Sequence, residues 1–302
     1  MALTAIDRAE AEALMSEQTI TEVVQTATET SAALRTFRKV NMGSSIARLP
    51  VISALPVAGF VTGDTGVKPS TQAAWERKVL TAEELAVIVA IPENVFDDSS
   101  VNIWNEVRPR IAEAFGVALD AAVFFGTGAP TSWPDSLAEG ATAAGNVRAS
   151  AGAGDTVEDI NQTWALVEAD GFDVNVTYGP RALRAELRGL RDTTGQPLLA
   201  VQGGLGSTPS YTVYGEDLEF VSQGAWAATA KAIAGDRNMA ILGIRQDVQY
   251  KLLTEATIGG VSLAETDQIA LRAKMRVAFQ VADPATLSGG ANAYPFAILT
   301  TA

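Results

Sequence analysis

Neither cysteine nor histidine occurs anywhere in the 302 residues. That double absence removes several chemistries at once, because disulfides, thiolate nucleophiles, the usual zinc sites and a Ser-His-Asp triad each need one or the other. Long apolar runs are missing too, the longest being broken well before the ~20 residues that a membrane span requires. The start "MALTAIDRAEAEALMSEQ" has no basic segment leading into an apolar core, so no secretory signal is read, and a chain that is soluble and intracellular when made is expected. Basic residues are scarce, 22 against 35 acidic ones, for a net charge of −13. Such a surface repels phosphate backbones, which argues against specific nucleic-acid binding but is compatible with a repulsive wall beside packed DNA.

What is present is a globular composition, 47% hydrophobic and 19% charged, in a chain long enough for one large domain or two ordinary ones. The stretch "DAAVFFGTGAP", Asp120 to Pro130, resembles a phosphate-cradling glycine turn. A true one needs a lysine and a hydroxyl after its last glycine and runs from strand into helix. Here Gly126 and Gly128 are followed by Ala129, Pro130 and Thr131, and they come after a long helical pattern. They are read as a helix end. The carboxylate pairs Glu83-Glu84 and Asp97-Asp98 are adjacent in sequence, so their side chains point apart on any regular element, and they are read as solvated or capping acids. Asp135, Asp155 and Asp159 lack the alternating spacing of a metal loop. Neither a metal nor a cofactor is expected.

Residues 4–38 carry a weak, interrupted apolar stripe and read as an arm with helical pieces. From Pro50 to Pro92, extended segments flank a turn cluster of Gly63, Asp64, Gly66, Pro69 and Ser70, the signature of a long hairpin that is marginal alone and needs a neighbour. A helix is predicted from Ser100 to Phe125, with Trp104, Val107, Ile111, Phe115, Ala118, Ala122 and Phe125 at three- and four-residue steps. Pro109 is expected to kink it or to mark a later start. A helix capped at Asp155 or Thr156, a strand in "FDVNVTY" and a helix after Gly179-Pro180 come next. Then follow a glycine-rich loop at 193–209 and strands in "SYTVYGEDLEFVS", at 239–244, at 270–281 and at 296–299.

In that order, the arm ending in "ARLP", the hairpin "GFVTGDTGVKPSTQAAWERKVLTAEELAVIVAIP", the helix with "VALDAAVFFGTGAPTSWPDSL", "SYTVYGEDLEFVS", "AIAGDRNMAILGIRQDVQYKLL" and "ALRAKMRVAFQVADPATL" resemble the major capsid proteins of tailed bacteriophages. The resemblance covers nearly the whole chain. It implies an α+β, HK97-type fold: an N-terminal arm (1–47), an extended E-loop hairpin (58–90), a peripheral domain with a long spine helix (48–57, 91–155 and 231–283) and an axial domain (156–230 and 284–302). It also implies a structural, non-enzymatic subunit that assembles with itself into the hexamers and pentamers of a head. Partners would be a scaffolding protein, a portal and a decoration protein, with DNA enclosed without specific binding. The location would be the virion, assembled in the host bacterial cytoplasm. An encapsulin shell, built on the same fold around a cargo enzyme, is the alternative. Many relatives carry a removable scaffolding segment ahead of the core, and here the arm before the core is short, so a separate scaffold or a processed chain is expected.

Several residues stand out as intersubunit contacts. Trp75, on the hairpin's returning arm, suits an interface or a packing place on its own domain. Lys68 and Lys78 are the hairpin amines that a covalent link of the kind some relatives form to an asparagine would use, with Asn292 as partner; a protonated, solvated lysine argues against it. Arg181, Arg184, Arg188 and Arg191 recur at three- and four-residue steps along one helical face. That face is either solvated and interleaved with Glu186, an ion-pairing face towards a neighbouring subunit, or, least in keeping with the charge, a DNA contact.

Overall fold

A computed structural model describes residues 31–61, 68, 70–98, 103–152, 156–190, 211–286 and 293–301. Its elements run α1 (Ala32–Thr36), β1 (Arg38–Asn41), β2 (Ile46–Ala54), β3 (Ala74–Thr81), β4 (Glu83–Pro92), α2 (Glu93–Asp98), α3 (Ile103–Phe125), α4 (Leu137–Ala144), β5 (Val147–Ala149), α5 (Thr156–Ala169) and β6 (Val176–Gly179). They continue with α6 (Arg181–Gly189), β7 (Thr212–Val213), β8 (Glu216–Phe220), β9 (Ala230–Gly235), β10 (Ala240–Leu253), β11 (Thr257–Ile258), β12 (Val261–Ser262), β13 (Gln268–Val281) and β14 (Phe296–Thr300). No helix among the described residues is long and apolar enough to cross a membrane.

The periodicity of α3 has the consequence it predicts. Its 23 residues span ~35 Å, and Ile111, Phe115, Leu119 and Val123, each four residues after the last, are all buried. Pro109 lies inside the helix, on an exposed turn, instead of marking its start. Gly126 ends it in the left-handed region at φ +70°, with its N–H donating to the Ala122 carbonyl at 3.0 Å.

Two larger sheets meet beside this helix. One is four-stranded in the order β1-β10-β13-β4, the other six-stranded in the order β5-β14-β9-β6-β8-β7. The aromatic ring of Phe37 marks the junction: it lies 5.7 Å from Phe124 of α3, 5.9 Å from Tyr178 of β6 and 6.4 Å from Phe279 of β13. A continuous core therefore links both sheets to the helix. On its other side the six-stranded sheet is covered by α5 and α6, through Ile160, Trp164, Leu183 and Leu187.

The hairpin is shorter and placed earlier than its turn signals suggest. β2 pairs with β3 from Ile46↔Thr81 to Ala54↔Ala74, so it begins inside the residues assigned to the arm. The returning arm does not continue to Ala90. After Ala82, β4 leaves the ribbon and pairs with β13, because Ala90 and Ile91 bury fully against that sheet. Residues 38–41, expected in the arm, form an edge strand parallel to β10. β9, which had not been read as a strand, joins the six-stranded sheet between β14 and β6, and β5 lies at that sheet's edge. The two sheets thus exchange the chain between Gly235 and Ala240. Past β13 the chain ties both regions together: Ala285 N–H donates to the Ile52 carbonyl at 2.8 Å, and the Thr286 hydroxyl donates to the Asp170 carbonyl.

Candidate assembly interface

Strand alternation gives the hairpin two unlike faces. Ala47 and Leu49 turn inward with Leu80, packing on Met42, Ile241 and Ala278 beside the four-stranded sheet. Ile46, Arg48, Pro50 and Ile52 turn outward. Directly paired residues of an antiparallel ribbon share a face, and the register pairs Ile52 with Trp75, Pro50 with Arg77 and Arg48 with Val79. Trp75 is 67% exposed, Ile46 52% and Val79 42%. An outer face with that much apolar surface is unusual for a ribbon meant to stay in water. It carries two guanidiniums, those of Arg48 and Arg77, and neither forms an ion pair among the described residues.

The ribbon's base is fixed. Lys78 Nζ lies 3.0 Å from the Asp283 carboxylate, the Gln280 side-chain amide donates to the Val79 carbonyl at 3.0 Å, and the Trp133 indole N–H donates to the Thr81 carbonyl at 3.1 Å. Beside that base an apolar cavity of about 310 Å³ opens between β4, the C-terminal half of α3 and the turn after it. Leu85, Ala118, Ala121, Pro130 and Trp133 wall it, and Glu83 stands at it, while Glu84, next on the strand, turns towards Lys274.

The residues singled out in the sequence separate into groups. Trp75 is on the outer face. Lys68 is exposed near the tip, while Lys78 is held inside the chain by Asp283. Asn292 and Arg191 lie outside the described residues, as do Gly63, Asp64, Gly66 and Pro69 of the tip. On α6, Leu183 and Leu187 face the core and Arg181 and Arg188 are exposed. Arg184 packs within the chain, its guanidinium 4.4 Å over the Tyr211 ring and 4.3 Å over Phe220. Glu186 is not interleaved with the arginines: it turns to Lys231, at 3.0 Å.

Sequence reasoning missed Asp120. Fully buried on α3, its carboxylate accepts from the Ser31 hydroxyl at 2.6 Å and from the Ala32 and Ala33 N–H groups at 2.9 and 3.1 Å. It thereby satisfies the start of α1, where the helix dipole also favours an anion. Gly116, one turn earlier, lets the two segments approach, since a Cβ there would sit 3.2 Å from the Ser31 nitrogen. Burial pushes the Asp120 carboxyl above its ordinary range, against the opposing pull of those hydrogen bonds and of Arg35. An acid within "GVALDAAVFF" was the available signal.

What this arrangement offers is a fixed ribbon with an exposed apolar outer face. The profile of the phage capsid family matches residues 11–290. The chain belongs to the phage capsid family. It is a structural major capsid subunit with the expected α+β, HK97-type fold. A curated major capsid protein from Staphylococcus phage 80alpha is 25% identical over 280 residues, 89% of this chain and 82% of that protein. A solved structure from Microbacterium phage Oxtober96 is 44% identical with a TM-score of 0.82, covering 99% of this chain and 100% of that one. One from Mycobacterium phage Bobi is 33% identical, also at 0.82, covering 99% of each. The capsid of an empty GTA particle shares the fold at 20% identity and a TM-score of 0.66. The encapsulin alternative gains nothing from these likenesses beyond the general kinship of shells.

Proposed function

We propose that this capsid-family subunit builds a closed phage head from hexamers and pentamers, and that the outer face of its β2–β3 hairpin lies on an adjacent copy. The observation that carries this reading is the exposed row of Ile46, Ile52, Trp75 and Val79 on a ribbon whose other face is already committed to its own sheet. In this reading the four-stranded sheet with α3 is the peripheral domain, the six-stranded sheet the axial domain and the hairpin the E-loop. The shell encloses DNA without reading it and works without catalytic turnover. Scaffolding, portal and decoration proteins are its partners, and assembly takes place in the host bacterial cytoplasm before the protein resides in the virion. Sedimentation and negative-stain microscopy of the purified protein test it: capsomers or closed shells are expected, and a compact monomer at every salt and protein concentration would overturn it.

A further inference from the structure

Resting on that reading, we infer that Trp75 of one subunit fills the 310 Å³ cavity at the foot of the next subunit's hairpin, with the guanidiniums beside it meeting Glu83 at its rim. The subunit cannot fill its own cavity. Pairing from Ile46↔Thr81 to Ile52↔Trp75 holds β3 extended, so Trp75 stands eight residues, roughly 26 Å, along the strand from Glu83 of the same chain. A second copy has no such restriction.

Charge selects the occupant. Copies with a net charge of −13 repel one another, so the faces that meet must carry local attraction. Trp75, Arg48 and Arg77 form a cationic, apolar face, and the cavity presents the complement, apolar walls with the Glu83 carboxylate. The Glu83 carboxylate accepts from the exposed Ser132 hydroxyl at 2.6 Å and keeps acceptor capacity for an incoming guanidinium. Ala118 and Ala121, short side chains on α3, leave the space open. An indole moved there from water removes on the order of 200 Å² of surface, the payload of an interface anchor.

The contact joins two different patches, so it is head-to-tail, and a head-to-tail contact whose rotation closes makes a ring. Rings of five and of six need different rotations between neighbours, so the same two patches would have to meet at two slightly different angles to serve both capsomers.

Placing a photoreactive benzophenone amino acid at position 75 and irradiating assembled shells tests the assignment. Crosslinks between copies that map to residues 83–85 or 118–133 are expected; crosslinks confined to other segments overturn it. In parallel, Arg77→Glu and Glu83→Arg should each slow assembly ~30-fold or more, while the two together restore it. Ala121→Trp, which fills the cavity from inside, should block assembly as Trp75→Ala does. If these variants assemble normally while loss of residues 55–73 abolishes shells, the cavity assignment falls and the hairpin's role stands. If that deletion also leaves shells intact, the proposed function of the hairpin falls with it.

Discussion

The six-stranded sheet and the β2–β3 hairpin are both built from alternating strands, yet they treat their apolar residues in opposite ways. β6 is buried at every position and β14 at all but its last, since helices α5 and α6 cover one side and the α3 core the other. The hairpin has a cover on one side, and large apolar side chains still occupy the other. The contrast separates two tasks that a sequence writes with the same residue types. The sheet's apolar residues stabilise one subunit, and on the proposed reading the hairpin's stabilise the contact between copies.

Substitutions can break that contrast from either end. Phe124→Ala, in the junction where Phe37, Tyr178 and Trp226 surround the ring, should cost about 3–5 kcal/mol of subunit stability, read as a shift in the urea midpoint of unassembled protein. A cost below about 1 kcal/mol would mean that the two sheets do not share a core.

Asp120→Ala strands the Ala32 and Ala33 N–H groups and should cost about 2–4 kcal/mol by the same melt. The pH dependence has a defined sign. Because burial raises the folded carboxyl above its ordinary value near 3.8, the folded chain keeps its proton longer than the unfolded chain as pH rises. The stability due to the proton is complete below that ordinary value and is lost as pH climbs through the raised one. The advantage of the natural protein over Asp120→Asn should therefore narrow with rising pH in that window. A difference that is flat with pH would show that the carboxyl is not held in a dry site.

Smallest in stability should be Trp75→Ala, within about 0.5 kcal/mol of the natural subunit, although its effect on assembly is large. A melt that fell by several kcal/mol would place Trp75 in the subunit's own core and dissolve the contrast.

Much of this was legible in the chain. Four-residue steps announced α3, the glycine at 126 announced its end, and extended segments around Gly/Pro/Ser signals announced a hairpin, all of them local signals. What stayed hidden depends on distant partners. β9 reads "AKAIAG", with too few β-branched residues to signal a strand; it is one because β14 and β6 flank it, and Ala232 and Ala234 are buried under the helical layer. The hairpin's true end at Ala82 depends on the pairing of β4 with a strand nearly 200 residues later. Trp75 was legible as an interface residue by type, but its outward direction needed the register. Asp120 was visible as an acid in an apolar helix, whereas its partner Ser31 is 89 residues away. Arg184 belonged by spacing to an exposed face, and the rings of Tyr211 and Phe220 drew it in.

The short run of residues 282–286 touches two regions of the subunit at once. Its adjacent residues Ala285 and Thr286 are bonded to the hairpin at Ile52 and to the loop after α5 at Asp170. A swing of the hairpin that keeps the Ile52 bond would pull on the Asp170 bond beside it. In the proposed shell, a change of hairpin angle would thus be felt at the loop after α5, on the far side of the subunit's second sheet, through two neighbouring residues.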